Sequence, residues 1–236
     1  METLRYGDDP SQLLELTRPS GTSRGLVVVI HGGFWRSAYD LDLGRPLAAS
    51  LAEEGWTAAN LEYRRVGNGG GWPETFDDVE AGIAAAVEAV SNETGPSESV
   101  VLLGHSAGGH LAVWAAGQPG SPATAAISQA GVLDLERAIR DDLGGGAVQA
   151  LLGADLSAHL RDADPLAAVP LGVPVRCVHG DTDQNVPIDQ STSYVEAATQ
   201  AGGDATLTRV EGDHFVLIDP SSPAWATQLE ILAELT

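Results

Sequence analysis

The stretch VVLLGHSAGGHLAVWAA, residues 100–116, decides how the rest of the chain is read. Its first part, Val100 to Leu103, is a continuous apolar run of the length of a buried strand. Its second part sets Leu111, Val113 and Trp114 among alanines, the composition of a buried helix. Ser106 stands at the corner between them. A strand that turns sharply into a helix forces an awkward backbone at the turn and brings chain segments close together, so the positions two before and two after can carry almost no side chain. Gly104 and Gly108 occupy those positions. A serine held there projects its hydroxyl beyond the end of the sheet, and the N–H of Ala107 opens a helix N-terminus, where developing negative charge is favoured. The alternative is a glycine-rich turn capped by a serine of no chemical consequence; the strand before and the helix after favour a nucleophile at the corner.

Outward from this corner, strand-like and helical patterns alternate almost from end to end. GLVVVIHGG (25–33), TAANLEY (57–63), SVVLLGH (99–105), ATAAISQA (123–130), VPVRCVHG (173–180) and DATLTRV (204–210) predict strands, and helices are predicted near 42–54, 75–92, 106–117, 187–201 and 224–235. The strands are continuously apolar rather than alternating, so both faces of the sheet must be covered; the fold class is α/β, a mostly parallel central sheet with helices on both faces. A short strand over 12–17 is expected antiparallel at the edge. Residues 131–170 interrupt the rhythm with about forty residues where one crossover helix would serve, and this excursion is the place for a small cap on what otherwise reads as a single domain, 1–236.

Acidic residues number 33 against 12 basic ones, a formal net charge of −21, which disfavours nucleic acid and anionic membrane as partners. All twelve basic residues are Arg. The absence of Lys removes Schiff-base catalysis, Ser–Lys dyads and the Lys-dependent phosphate loop. The single Cys177 excludes an internal disulfide and a multi-cysteine metal site. No apolar run approaches the roughly 20 residues of a membrane span, and METLRYGDDP has no basic-then-apolar leader, so the expected location is cytoplasmic. Neither cofactor nor metal is expected. The expected partner is a small-molecule ester or amide, with a homodimer left open as the assembly.

A serine hydroxyl needs a base to take its proton, and that base needs a third group to fix its tautomer. Of six histidines, His31, His105, His110 and His179 lie on or beside predicted regular elements and read as structural, while His159 in the excursion has no partner signal. His214, in VEGDHFVLID, follows the last strand, and residues just beyond the C-terminal ends of parallel strands converge on one edge. For the acid, VHGDTDQNVP offers Asp181 and Asp183. The spacing of Asp181, Asp183 and Asn185 also begins like a calcium loop, but Val186 stands where that loop needs Gly and Thr192 where it needs Glu. The order Ser, Asp, His is that of an α/β-hydrolase. An anion site is also required. IHGGFW (30–35) follows an apolar strand and can turn backbone N–H groups inward, making Gly33, Phe34 and Ala107 the expected donors. Trp35 and Trp72, with Phe34, fall in loops at the same edge, where they either stack on a planar substrate or pack loop against core.

These residues resemble the α/β-hydrolase superfamily and, within it, lid-poor esterases with an HGG-type anion loop. HGGFW looks like the corresponding motif of kynurenine formamidases and their bacterial esterase relatives; EYRR…GWPETFDDV, GHSAGGHLA, AGVLDL and HGDTDQNVP are similar to further stretches of the same pattern. The resemblance implies Ser106 as nucleophile, Asp183 as acid and His214 as base, with Asp181 a neighbour that braces the loop. The function expected is hydrolysis of carboxylic esters of small or aryl substrates through an acyl-enzyme. An arylformamidase or aminoacyl amide hydrolase is the alternative within the mechanism, and a non-catalytic ligand-binding protein the alternative outside it.

Overall fold

The structure is a computed structural model and describes residues 1–95 and 97–236. Among the described residues, eight strands form one sheet: β1 (Glu2–Arg5), β2 (Leu13–Thr17), β3 (Leu26–Ile30), β4 (Thr57–Leu61), β5 (Val100–His105), β6 (Ala125–Gln129), β7 (Val175–Gly180) and β8 (Ala205–Val210). Their order is β1-β2-β4-β3-β5-β6-β7-β8. The pairs β1–β2 and β2–β4 are antiparallel and every other pair is parallel. The helices are α1 (Arg45–Glu53), α2 (Glu74–Thr94), α3 (Ala107–Ala116), α4 (Leu135–Arg140), α5 (Ala147–Leu152), α6 (Leu156–Ala163), α7 (Asp189–Gln200) and α8 (Pro223–Glu234).

The pleat explains why the central strands are apolar throughout. In β3, Leu26, Val28 and Ile30 enter the core shared with α2, α3 and α7, while Val27 and Val29 enter the core shared with α1 and α8. On the first face α2 presents Val79, Ile83, Ala86 and Val90, at helical spacing. On the second, the Trp225 indole N–H donates to the Ser50 hydroxyl at 2.9 Å and ties α8 to α1. Each large side chain buried in this way contributes roughly 1.5–3 kcal/mol.

One strand expectation is corrected. The predicted strand over 12–17 is β2 and is antiparallel, but β1 lies outside it and forms the edge. The reason is physical: β1 is exposed except at Leu4, so it has no apolar run or full alternation to read.

The excursion contains α4, α5, α6 and a 3₁₀ turn at Pro165–Ala168, and its apolar residues join the α2–α3 side of the core. Side chains of α3 hold it down. His110 Nε2 donates to the Ala163 carbonyl at 2.9 Å and Trp114 Nε1 to the Asp162 carbonyl at 2.8 Å. From the other side, Trp72 stacks on His159 with ring centroids 5.4 Å apart. Burial pushes the carboxyl of Asp164, which accepts from the N–H groups of Leu135 and Leu166, up to about 6.

No helix among the described residues is long and apolar enough to cross a membrane. Several arginines are consumed in ion pairs, including Arg45–Glu15, Arg64–Asp78 and Arg176–Asp204, each at 2.7 Å, so the negative excess is left unbalanced. Self-repulsion of a net charge of −21 opposes the compact state, and salt screens it. The melting temperature, followed by circular dichroism, is therefore expected to rise by about 5 °C between roughly 10 mM and 500 mM NaCl, the equivalent of about 1–2 kcal/mol. A flat or falling curve would mean that the surface ion pairs outweigh the repulsion.

Candidate active site

Ser106 caps α3 with φ 55° and ψ −119°, a left-handed backbone that a serine adopts only when its surroundings impose it. The surroundings are two contacts without clearance. A Cβ on Gly104 would lie 2.0 Å from the Gly108 carbonyl oxygen, and one on Gly108 would lie 2.0 Å from that of Ile30 and 2.5 Å from that of His31. Helix α3 thus enters backbone to backbone against β3, and the loop after β3 comes to rest beside the serine.

That loop holds three successive positive φ angles, 115° at Gly33, 51° at Phe34 and 54° at Trp35. Among the described residues, the N–H groups of Gly33, Phe34 and Ala107 donate to no acceptor in the chain. Unpaired donors beside a serine are what an anion site requires. The loop is laced from behind by EYRRV. Tyr63 Oη donates to the His31 carbonyl at 2.7 Å, Val66 N–H to the Trp35 carbonyl at 2.8 Å, and the buried Glu62 carboxylate takes the N–H of Leu41 and the guanidinium of Arg65.

Asp183 follows β7 and His214 follows β8. His214 Nδ1 donates to Asp183 Oδ2 at 2.6 Å, while Asp183 Oδ1 accepts from the N–H groups of Asn185 and Val186 at 2.7 and 2.9 Å. Burial alone would raise the Asp183 carboxyl. The hydrogen bonds from His179, His214 and Val186 prevail and hold it well below the usual carboxylate range. Asp181 is exposed and accepts from Gly212 N–H at 2.9 Å, bracing the loop that carries His214.

β8 is three strands from β5, so His214 must be drawn across the sheet. Two side chains do this. Gln129, at the end of β6, donates through Nε2 to the Leu217 carbonyl at 2.7 Å, and His105 Nε2 donates to the carbonyl of His214 itself at 3.0 Å. The loop crosses at Gly180, where a Cβ would meet the carbonyl oxygens of Gly212 and Asp213 at 2.5 Å. Burial, reinforced by the nearby His214, pushes His105 down to about 3 and keeps it neutral. The rings of His105 and His214 lie 4.4 Å apart, so His214 stands at the C-terminal end of β5, the strand that Ser106 follows. Among the described residues no hydrogen bond joins the Ser106 hydroxyl to His214; in unliganded sites that link is commonly long.

Two aromatic expectations change. Trp35 is only 1% exposed and stands edge-on to His110 in the core, so it presents no face to a substrate; its positive φ swings the indole inward. Trp72 is partly buried and committed to His159 and Phe76. The exposed aromatics at this edge are instead Tyr39, 47% exposed and packed over Gly33, and Phe215, 55% exposed with its ring 5.4 Å from that of His214. Phe34 is half-buried under Gly144 of the excursion, which Arg36 pins by donating to the carbonyls of Gly144 and Gly145. Sequence gave no signal for Tyr39, whereas Phe215 is marked by its place after His214.

Residues 14–197 match the BD-FAE family. The chain is 29% identical to esterase LipC of Mycobacterium tuberculosis over 81% of its own length and 53% of that protein, and 26% identical to isoprenylcysteine alpha-carbonyl methylesterase ICME of Arabidopsis thaliana over 88% and 54%. It thus spans about half the length of these relatives. Esterase 2 of Thermogutta terrifontis, solved with butyrate bound, superposes with a TM-score of 0.80 at 25% identity, covering 99% of this chain and 92% of that one. Esterase B of Lactobacillus rhamnosis superposes at 0.86 with 22% identity, covering 99% and 84%.

The contact under the elbow is testable by itself. Gly108→Ala forces backbone apart on both sides and is expected to cost about 3 kcal/mol or more, or to yield insoluble protein. Gly117→Ala, in ordinary helical backbone and with its nearest contact at 3.4 Å, is expected to keep the wild-type urea midpoint.

Proposed function

The chain belongs to the BD-FAE family, and from that premise we propose that it is a serine hydrolase of carboxylic esters with small or aryl substrates, working through Ser106, Asp183 and His214. The observation that carries the reading is the 2.6 Å bond from His214 Nδ1 to an ionised Asp183, taken with a serine held in left-handed backbone at the end of β5. A carboxylate only accepts, so Nδ1 carries the hydrogen and Nε2 is left with the lone pair that takes the Ser106 proton. Ser106 Oγ then attacks the ester carbonyl carbon. The oxyanion is received by the N–H groups of Gly33, Phe34 and Ala107, which are oriented before the reaction and cost no reorganisation during it. Collapse breaks the bond to the alcohol oxygen, which leaves with the proton from His214 Nε2. Water, deprotonated by the same nitrogen, releases the acid and restores the serine.

The relatives are named as esterases, which favours an ester over a formamide substrate. A small acid is favoured by the butyrate held by the Thermogutta terrifontis esterase and by the seal of Gly144 on Phe34. An aryl alcohol is favoured by the exposed rings of Tyr39 and Phe215 on the opposite side. A hydrolysis screen of aryl acetates, alkyl acetates and formyl-anilides tests the reading; faster turnover of formyl-anilides would overturn the ester assignment.

Ser106→Ala is expected to lower kcat by about 10⁶ and to abolish labelling by a fluorophosphonate. Retention of a tenth of the wild-type rate would sink the mechanism. Asp183→Asn is expected to cost about 10⁴ in kcat and Asp181→Asn far less; the reverse ranking would move the acid to Asp181. At Gly33, a Cβ would overlap Tyr39 at 2.4 Å, and φ 115° disfavours any side chain. Gly33→Val therefore turns the loop and should lower kcat by roughly 10²–10³, with KM little changed in steady-state assays.

A further inference from the structure

Asp183 has a second histidine against it. His179, the penultimate residue of β7, is completely buried, and its Nε2 lies 2.9 Å from the Val186 carbonyl oxygen and 3.3 Å from Asp183 Oδ2. A carbonyl oxygen can only accept, so Nε2 carries the hydrogen and points it at both oxygens. Nδ1 then holds a lone pair, and the Ser191 hydroxyl, equally buried on α7, donates to it at 2.8 Å. Every polar atom of the imidazole is thereby occupied. The residue that binds the Val186 carbonyl also fixes the turn whose N–H groups, from Asn185 and Val186, grip the other carboxylate oxygen.

Resting on the reading of Asp183 as the acid of the site, we propose that His179, held by Ser191, is a positioning residue: it fixes the 183–186 turn and sets a second N–H against Asp183 Oδ2. Two effects follow. The carboxylate cannot rotate away from His214, because three of its four contacts come from this turn and from His179. The second N–H also withdraws part of the carboxylate's negative charge, which limits how strongly Asp183 stabilises a protonated His214. The low-lying Asp183 carboxyl, with His179 among the groups that depress it, agrees with this. Among the described residues, Asp183 on the loop after β7 and His105 on β5 lie against His214, and His179 on β7 lies against Asp183.

The two amide replacements for histidine separate this role from simple packing. A glutamine amide reaches the position of Nε2 and can donate to Val186 and Asp183. An asparagine amide reaches only the position of Nδ1, keeping Ser191 and losing Asp183. His179→Gln is expected to retain most of kcat, with the acid limb of kcat/KM in place. His179→Asn is expected to lose about tenfold to a hundredfold in kcat, the weight of one hydrogen bond to a charged group. Its KM should be unchanged and its acid limb should move up by about half a pH unit, because the carboxylate, without the second N–H, keeps more of its charge against His214. Ser191→Ala should fall between the two. All variants are measured on one aryl acetate, after circular dichroism confirms folding and a fluorophosphonate confirms a reactive Ser106. If both His179 variants fold and share one kcat and one pH profile, whether wild-type or impaired, the proposal is wrong. If the wild-type serine itself fails to react, it is the assignment of the site that fails.

Discussion

The start of α3 meets the end of β3 backbone to backbone, and that contact fixes the geometry around Ser106. With Gly108 resting on the carbonyl oxygens of Ile30 and His31, no atom separates the helix from the loop after β3. Three consequences share that origin. Ser106 is driven to φ 55°, its Ala107 neighbour begins a helix with an N–H that has no acceptor among the described residues, and the loop that carries Gly33 and Phe34 is brought alongside both. Strain at the serine is tolerated because α3 is buried along its whole length among the sheet and the α2 side of the core, and that burial outweighs one unfavourable backbone conformation.

The second organising element is charge held without lysine. Glu62 and Asp183 are buried carboxylates, and each is surrounded by donors rather than left to burial alone. Glu62 accepts from two backbone N–H groups and faces Arg65 and His31; Asp183 accepts from two backbone N–H groups and faces His214 and His179. The first fixes the loop that follows β3, the second the loops that follow β7 and β8. A buried charge is costly unless paired and hydrogen-bonded, so each carboxylate works as a node that allows its loops one arrangement. Glu15 and Asp78, each against an arginine, are buried as well, as are Asp134 and Asp164.

The excursion over 131–170 adds a wall to one side only. His110 and Trp114 hold its end to α3, Arg36 ties its glycine loop to the loop after β3, and Phe34 is enclosed between them. On the other side, Tyr39 and Phe215 remain exposed. The wall therefore stands on the α2–α3 side, while Tyr39 and Phe215 precede α1 and α8.

The α/β class, the parallel sheet with cover on both faces, and the corner at Ser106 are legible in the chain alone, because they rest on local periodicity and on glycines whose spacing has one steric meaning. Chain order and a family resemblance point to Asp183 and His214, and the bond between them belongs to the fold. What the sequence could not determine is set by contacts between residues far apart in the chain. β1 has no apolar pattern and exists through pairing with β2. Trp35 reads equally as a ring for a planar substrate or as loop packing, and a positive φ turns it into the core. His105 and His179 read as structural histidines and Gln129 carries no signal, whereas in the folded sheet Gln129 and His105 hold the His214 loop and His179 lies against Asp183. Local patterning reports which face of an element is buried; it carries no information about which distant donor a buried polar atom will find, and that pairing is decided by tertiary structure.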